Sequence, residues 1–265
     1  MTSSVAEPIL PAPLIPVSQA MDAAARVGAI LMQSGASTES SVVAVREMLS
    51  GLDLAGVNVT IGGDAVIVSA TEHGVPLTIM RTIPTLGANL ERASMAHVLA
   101  ERVHRGAISG EGIAPELAAV SATPAPYNRY VVAVALGIAG LAFNQLMGGT
   151  LTSAAVVFVA NVVAHLARTE LTQRKSPVAV TALATAVIAT VIAAIGVRMG
   201  LAPMAASTFI PAITLLIPGF ALINGLLDLS SLRYVMVGLQ RVLIAVLTFL
   251  VIGIGIAAGI ALVGG

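Results

Sequence analysis

The sequence predicts an α-helical integral membrane protein in which five transmembrane helices are preceded by a small α+β cytoplasmic domain. Three observations carry this reading. The 265 residues are 57% hydrophobic and 10% charged, with a mean hydropathy of +0.97, whereas a soluble domain has roughly 25% charged and 45–50% apolar residues. The apolar residues gather after residue 129 into runs near the ~20 residues that a membrane helix needs. The polar groups are segregated: 18 of the 26 charged residues lie in residues 1–129, net −4 there, and all eight aromatics lie at position 127 or later. This balance excludes an ordinary soluble fold, a disordered chain and a nucleic-acid binder. Cysteine is absent, so no disulfide, thiol nucleophile or thiolate metal site is available.

Residues 1–16 contain no Lys or Arg and are broken by Pro8, Pro11, Pro13 and Pro16. They lack the basic start and unbroken apolar core of a signal peptide and read as a disordered leader. From Val17 to Gln33 apolar residues recur at helical spacing, and Gly35 ends that helix. Ser37, Thr38 and Glu39 open a second helix that runs to about Leu49 and stops at Gly51. The period then changes. Val57–Ile61 alternates apolar and polar residues, Gly62-Gly63-Asp64 is read as the positive-φ turn of a hairpin, and Ala65–Ala70 and Val75–Thr82 complete a three-strand meander. Helices over about Asn89–His104 and Gly112–Ser121 follow, and Pro124 and Pro126 form a linker. Residues 17–126 therefore make the cytoplasmic α+β domain.

Residues 127–265 make the membrane domain, with spans over 130–147, 151–167, 178–197, 204–227 and 242–264. Gly148-Gly149-Thr150 leaves almost no loop between the first two, which should form an antiparallel hairpin. Arg129, Arg168, Arg174, Lys175, Arg233 and Arg241 fall at one set of span ends and Arg198 alone at the other. By the positive-inside rule the N-terminal domain is cytoplasmic and the C-terminus outside, in a multi-pass protein of the bacterial inner membrane. Tyr127, Tyr130 and Tyr234 suit the cytoplasmic interface. Five is an odd number, and transporters often enclose their site between two related bundles. A partner is expected, either a second copy or a different subunit.

The fourth span carries the most chemistry. Pro211 and Pro218 each remove a backbone donor and free a carbonyl, those of Ser207 and Thr214. In lipid such groups must be buried in protein or line water. Thr208, Thr214, Asn224 and Asp228 are polar on the same segment, the last two four residues apart. Gly219 would let another backbone or a solute come close. A kinked packing helix ending in an interfacial Asp is the plainer alternative. Asn161 and His165 share a face of the second span, and Asn144 and Gln145 lie near the end of the first; hydrogen bonding between helices explains these equally well. His97, Glu101 and His104 have metal-ligand spacing, but a solvated helix face gives the same pattern. Gly255 and Gly259 form a small-xxx-small pair suited to close helix packing. There is no HExxH and no phosphate-binding loop. No metal and no cofactor is expected, and direct drive by ATP is not.

The stretch Leu216–Arg241 (LIPGFALINGLLDLSSLRYVMVGLQR) resembles the signature of the threonine/serine exporter family, in which a Pro-Gly is followed by an Asn, an Asp and a Gly-x-x-Arg. Here these are Pro218, Gly219, Asn224, Asp228, Gly238 and Arg241. Gly35-Ala36-Ser37-Thr38, Gly87-Ala88-Asn89-Leu90 and Phe143…Gly148-Gly149 are similar to three further family features. The resemblance implies one of two layouts, a fused protein of about ten spans or a split pair. With one soluble domain and five spans, the chain looks like the larger, YjjP-like subunit of the split type, whose partner would be a smaller YjjB-like membrane subunit. It implies export of small polar metabolites, threonine and serine in one branch and succinate in the other.

The sequence therefore reads as a subunit of a secondary exporter, not an enzyme. Its substrate pathway is expected at Thr214, Pro218, Gly219, Asn224, Asp228, Arg241, Asn161, His165 and Asn144, with a solute carboxylate favoured at a helix N-terminus exposed by the break. A non-transporting regulatory or scaffold subunit is the main alternative. An intramembrane hydrolase is the remoter one, because Asp228 is the lone acid of the expected spans and no carboxylate pair is available.

Overall fold

The computed structural model describes residues 15–264 except 55, 73, 85, 86, 88 and 125; most of the expected leader lies outside the described residues. The chain divides into two compact units. One holds the residues up to Pro124 together with Asn224–Gln240, and the other holds Ala125–Ile223 with the residues from Arg241 onward.

The first unit is organised around α1 (Val17–Gln33). Eleven of its seventeen residues are buried, five of them alanine and one glycine. Small side chains let neighbours close in on most of its circumference: a Cβ on Gly28 would stand 2.8 Å from Val45 and 3.3 Å from Val66. Gly35, at φ 96°, turns the chain into α2 (Thr38–Gly51), because only glycine adopts that backbone without cost. Strands β1 (Asn58–Ile61), β2 (Ala65–Glu72) and β3 (Val75–Thr82) pair antiparallel in the order β1-β2-β3. Val59, Ile61, Val66 and Val68 are buried in the same core as α1, as alternation requires. Helices α3 (Leu90–His104) and α4 (Gly110–Ala122) complete the layer. Asn89 caps α3 by accepting from the Arg92 amide at 3.0 Å. The expected elements of residues 17–122 are all present, with boundaries shifted by two residues or fewer.

The β1–β2 turn differs from expectation in its cause. Gly62 N–H donates to Ala65 O at 2.8 Å, yet no residue of this turn has positive φ among the described residues. A Cβ on Gly63 would meet the amide end of the Gln240 side chain, which can swing aside because Gln240 is exposed. The positive φ belongs to Gly74, between β2 and β3.

The second unit is helical. It contains α5 (Arg129–Leu146), α6 (Leu151–Gln173), α7 (Val178–Arg198), α8 (Ala206–Ile213), a 3₁₀ turn (Thr214–Leu216) and parts of α9 (Gly219–Ser230) and α10 (Val235–Gly264). The α5–α6 hairpin turns at Gly148, φ 76°. Gly137 and Gly140 leave no room for a Cβ against Phe158, Val162 and Asn161 of α6. Gly255 and Gly259 do pack closely, on Ala186 and Thr190 of α7. Arg198 donates to Val263 O at 2.6 Å, a cation at a helix C-terminus, where the dipole favours it.

Four helices, α5, α6, α7 and α10, are long and apolar enough to cross a membrane. Between 22% and 39% of the most apolar stretch of each is buried by the chain itself, so most of that stretch is left uncovered. Residues 204–227, expected as one span, are not one helix. The chain breaks at the 3₁₀ turn and at Ile217, which is extended (ψ 128°) because a residue before proline avoids the helical region. Two other helices are longer than hydropathy marks them. α6 continues through Arg168 to Gln173, Glu170 bonding Arg174 at 2.9 Å, and α10 begins at Val235, seven residues before its apolar run.

Candidate functional site

The broken segment of the second unit is held by two buried asparagines. Pro211 leaves the carbonyl of Ser207 without its helical donor, and Asn144 Nδ2 supplies one at 2.6 Å. Asn144 is fully buried. Its Oδ1 accepts from Ser153 Oγ at 3.2 Å and from Gln145 Nε2 at 3.2 Å, so one amide ties α5, α6 and α8 together. One level away, Asn161 Nδ2 donates to Pro211 O at 3.1 Å and to Val157 O at 3.0 Å. Polar side chains on adjacent helices thus satisfy the carbonyls that the break exposes, as a low-dielectric setting demands. Pro218 acts differently from its sequence reading. Thr214 O accepts from the Ile217 amide at 3.2 Å, and Pro218 O accepts from Leu222 N at 3.1 Å. Pro218 therefore opens α9, the position where proline is tolerated. Thr214 Oγ1 donates to Ile210 O at 2.6 Å. Among the described residues, and apart from its chain neighbours and its own helix backbone, no atom lies within 4 Å of where a Cβ on Gly219 would stand.

A cavity of about 10 Å³ lies beside the break, lined by Leu136, Asn161, Ala164, His165, Arg168 and Leu216. That volume fits a single water; a small metabolite needs the walls to part. Asn161, Ala164, His165 and Arg168 share one face of α6. Along it Asn161 is buried, His165 half-buried and Arg168 exposed. Arg168 and Leu216 are lining residues that sequence reading missed. Arg168 had been used only to set orientation, and its spacing of seven from Asn161 was the available signal.

Asn224 and Asp228 sit in the first unit. Asn224 Nδ2 donates to Gly35 O at 2.7 Å. Asp228, 1% exposed, accepts from Thr38 Oγ1 at 2.8 Å and from the Thr38 amide at 3.3 Å. Thr38 is the first residue of α2, and Ser37 Oγ caps the same turn from the Ser40 amide at 3.2 Å. A carboxylate at a helix N-terminus satisfies an otherwise unpaired amide and suits the dipole. Tyr234 and Val237 join the same core, and a Cβ on Gly238 would press the Leu229 amide at 2.7 Å and Gly225 O at 2.8 Å. The α9–α10 corner is thereby a built-in part of the first unit. Arg241 lies in the second unit and is 6% exposed.

His97, Glu101 and His104 do not converge. His97 Nε2 is 3.0 Å from Ser40 Oγ, His104 Nδ1 is 3.1 Å from Glu47 O, and Glu101 pairs with Arg105. No group of three potential ligands for a metal ion occurs among the described residues.

Long apolar helices, with a proline-broken segment bonded by buried amides among them, define a helical membrane protein that carries an N-terminal α+β unit. A family model described as "Putative threonine/serine exporter" matches residues 22–263, and the chain belongs to that family. The "Probable succinate transporter subunit YjjP" of Escherichia coli (strain K12) is 26% identical over 89% of this chain and 92% of its own length. The protein of the same name from Klebsiella aerogenes is 26% identical, covering 88% and 90%. The "Threonine/serine exporter" of Corynebacterium glutamicum is 27% identical over 56% of this chain but 33% of its own length. The "Probable threonine/serine exporter" of Mycobacterium tuberculosis matches likewise, over only 28% of its length. No solved structure matches the chain.

Proposed function

We propose that the chain is one subunit of a bacterial inner-membrane secondary exporter of small polar metabolites, threonine and serine or a dicarboxylate such as succinate, acting with a smaller YjjB-like membrane subunit. The coverage supports the split layout, since the chain spans nine tenths of the YjjP subunits and a third or less of the two amino-acid exporters.

The observation that carries the transport reading is the broken segment held by Asn144 and Asn161. Non-helical backbone at membrane depth is tolerated where it is buried in protein or lines water, and broken helices of this kind form solute sites. Export then runs past the cavity at Asn161 and His165, which widens as the segment around Leu216 moves. Pro218 and Gly219 form the hinge side of that segment and Thr214 its turn. Asn224 and Asp228 hold its far end to the soluble domain, and Arg241 begins the membrane part of α10.

The test is efflux of labelled threonine and of labelled succinate from loaded vesicles containing the full chain with its smaller subunit. Efflux of at least one solute that requires this chain is expected. Vesicles that retain both solutes in the presence of both subunits contradict the reading and favour a scaffold.

A further inference from the structure

We propose that Arg168 is the carboxylate-recognition residue of this path, a specificity residue at the mouth of the polar track that leads through His165 to Asn161. The proposal rests on the exporter reading and names the ligand chemistry of the same cavity. Three observations support it. Arg168 lines the cavity with His165 and Asn161. Its side chain has no hydrogen bond or ion pair among the described residues, although two neighbouring cations of this helix pair end, Arg129 and Arg174, engage Glu170, at 3.9 and 2.9 Å. It stands on the same face of α6 as the buried Asn161, two turns further on.

The chemistry fits one class of ligand. A guanidinium presents a planar fork of donors that matches a carboxylate with two parallel bonds, which a lysine ammonium does not. Amino acids and dicarboxylates differ in charge and shape but share a carboxylate, so one arginine serves either. Behind it, the imidazole of His165 and the amide of Asn161 supply further polar contacts deeper in the track. Because Asn161 already bonds Pro211 O, a solute that draws this amide away would loosen the broken segment. Binding and opening are then linked.

A plainer role for Arg168 is interfacial anchoring, which needs only a cation on a flexible stem. Titrating the full chain in lipid nanodiscs with L-threonine, succinate and L-threonine amide separates the two. The wild-type chain is expected to bind one of the acids at least tenfold more tightly than the amide. Arg168→Gln should abolish that preference while leaving amide binding unchanged, and Arg168→Lys should restore only part of it. Equal affinities in wild type and Arg168→Gln, full rescue by Arg168→Lys, a parallel loss for acid and amide, or no acid binding by the wild type would each overturn the proposal. Acid binding that depends on Arg168 in a chain that exports nothing would contradict the exporter reading and leave Arg168 as the carboxylate site.

Discussion

Asp228 shows how one side chain fixes a long-range joint. Its carboxylate accepts the amide and hydroxyl of Thr38, 190 residues away, and Asn224 one turn earlier holds Gly35 O. The two sequence pieces that most resemble the exporter family are thus packed on each other within one unit. The sequence marks both, Asp228 as an acid in an apolar segment and Thr38 as a helix opening. Their meeting is not legible in it, since no periodicity links such distant positions. A helix cap of this kind contributes about 1–2 kcal/mol. Asp228→Asn and Thr38→Val are each expected to destabilise the soluble unit by about that much, with the double variant less costly than the sum of the two. Thermal unfolding of the four proteins in detergent measures the cycle, and additive effects would mean that the two side chains act separately. Gly63 makes a related point. The turn is legible as a turn, but its neighbour, the Gln240 side chain, is one that only the fold reveals.

At the scale of elements, the proline pair predicted a break and the structure has one. Its construction was hidden because hydropathy and proline spacing locate a fault without naming its donors. α8, eight residues long, spans about 12 Å and α9, with twelve, about 18 Å, so neither alone crosses a ~30 Å core. The joint between α8 and the α5–α6 hairpin depends on Asn144. Asn144→Leu keeps the size but strands Ser207 O, and an unpaired buried polar group costs about 1–3 kcal/mol. A loss of stability of about that size is expected, read as a lowered Tm, whereas Gln145→Leu beside it should change little because Gln145 is exposed. Equal effects at both positions would deny Asn144 its role. The early start of α10 was illegible for a different reason. Gln240 and Arg241 mask the helix from a hydropathy window, and it is burial of Val237 with Tyr234 in the soluble core that extends it back to Val235.

For the whole molecule, chain connectivity bears on the number of crossings. The chain leaves the soluble unit near residue 125, rejoins it at 224 and leaves again at 241. A path that starts and ends on one side of a membrane crosses it an even number of times. With α5, α6 and α7 taken as three crossings, the expected fourth is residues 199–223, which include α8, the 3₁₀ turn and the start of α9. Four helices are long and apolar enough to cross a membrane; a fifth crossing, by the broken segment and fourth in chain order, is the prediction to be tested. The chain contains no cysteine, so single cysteines report cleanly. Met204, before α8 and 70% exposed, and Leu232, between α9 and α10 and 82% exposed, bracket the segment. The deciding measurement is labelling of Met204→Cys and Leu232→Cys in intact cells by a membrane-impermeant thiol reagent. Reaction at 204 from outside, with reaction at 232 only after the cells are opened, is the predicted result. Labelling of both positions from the same side would contradict a fourth crossing by the broken segment.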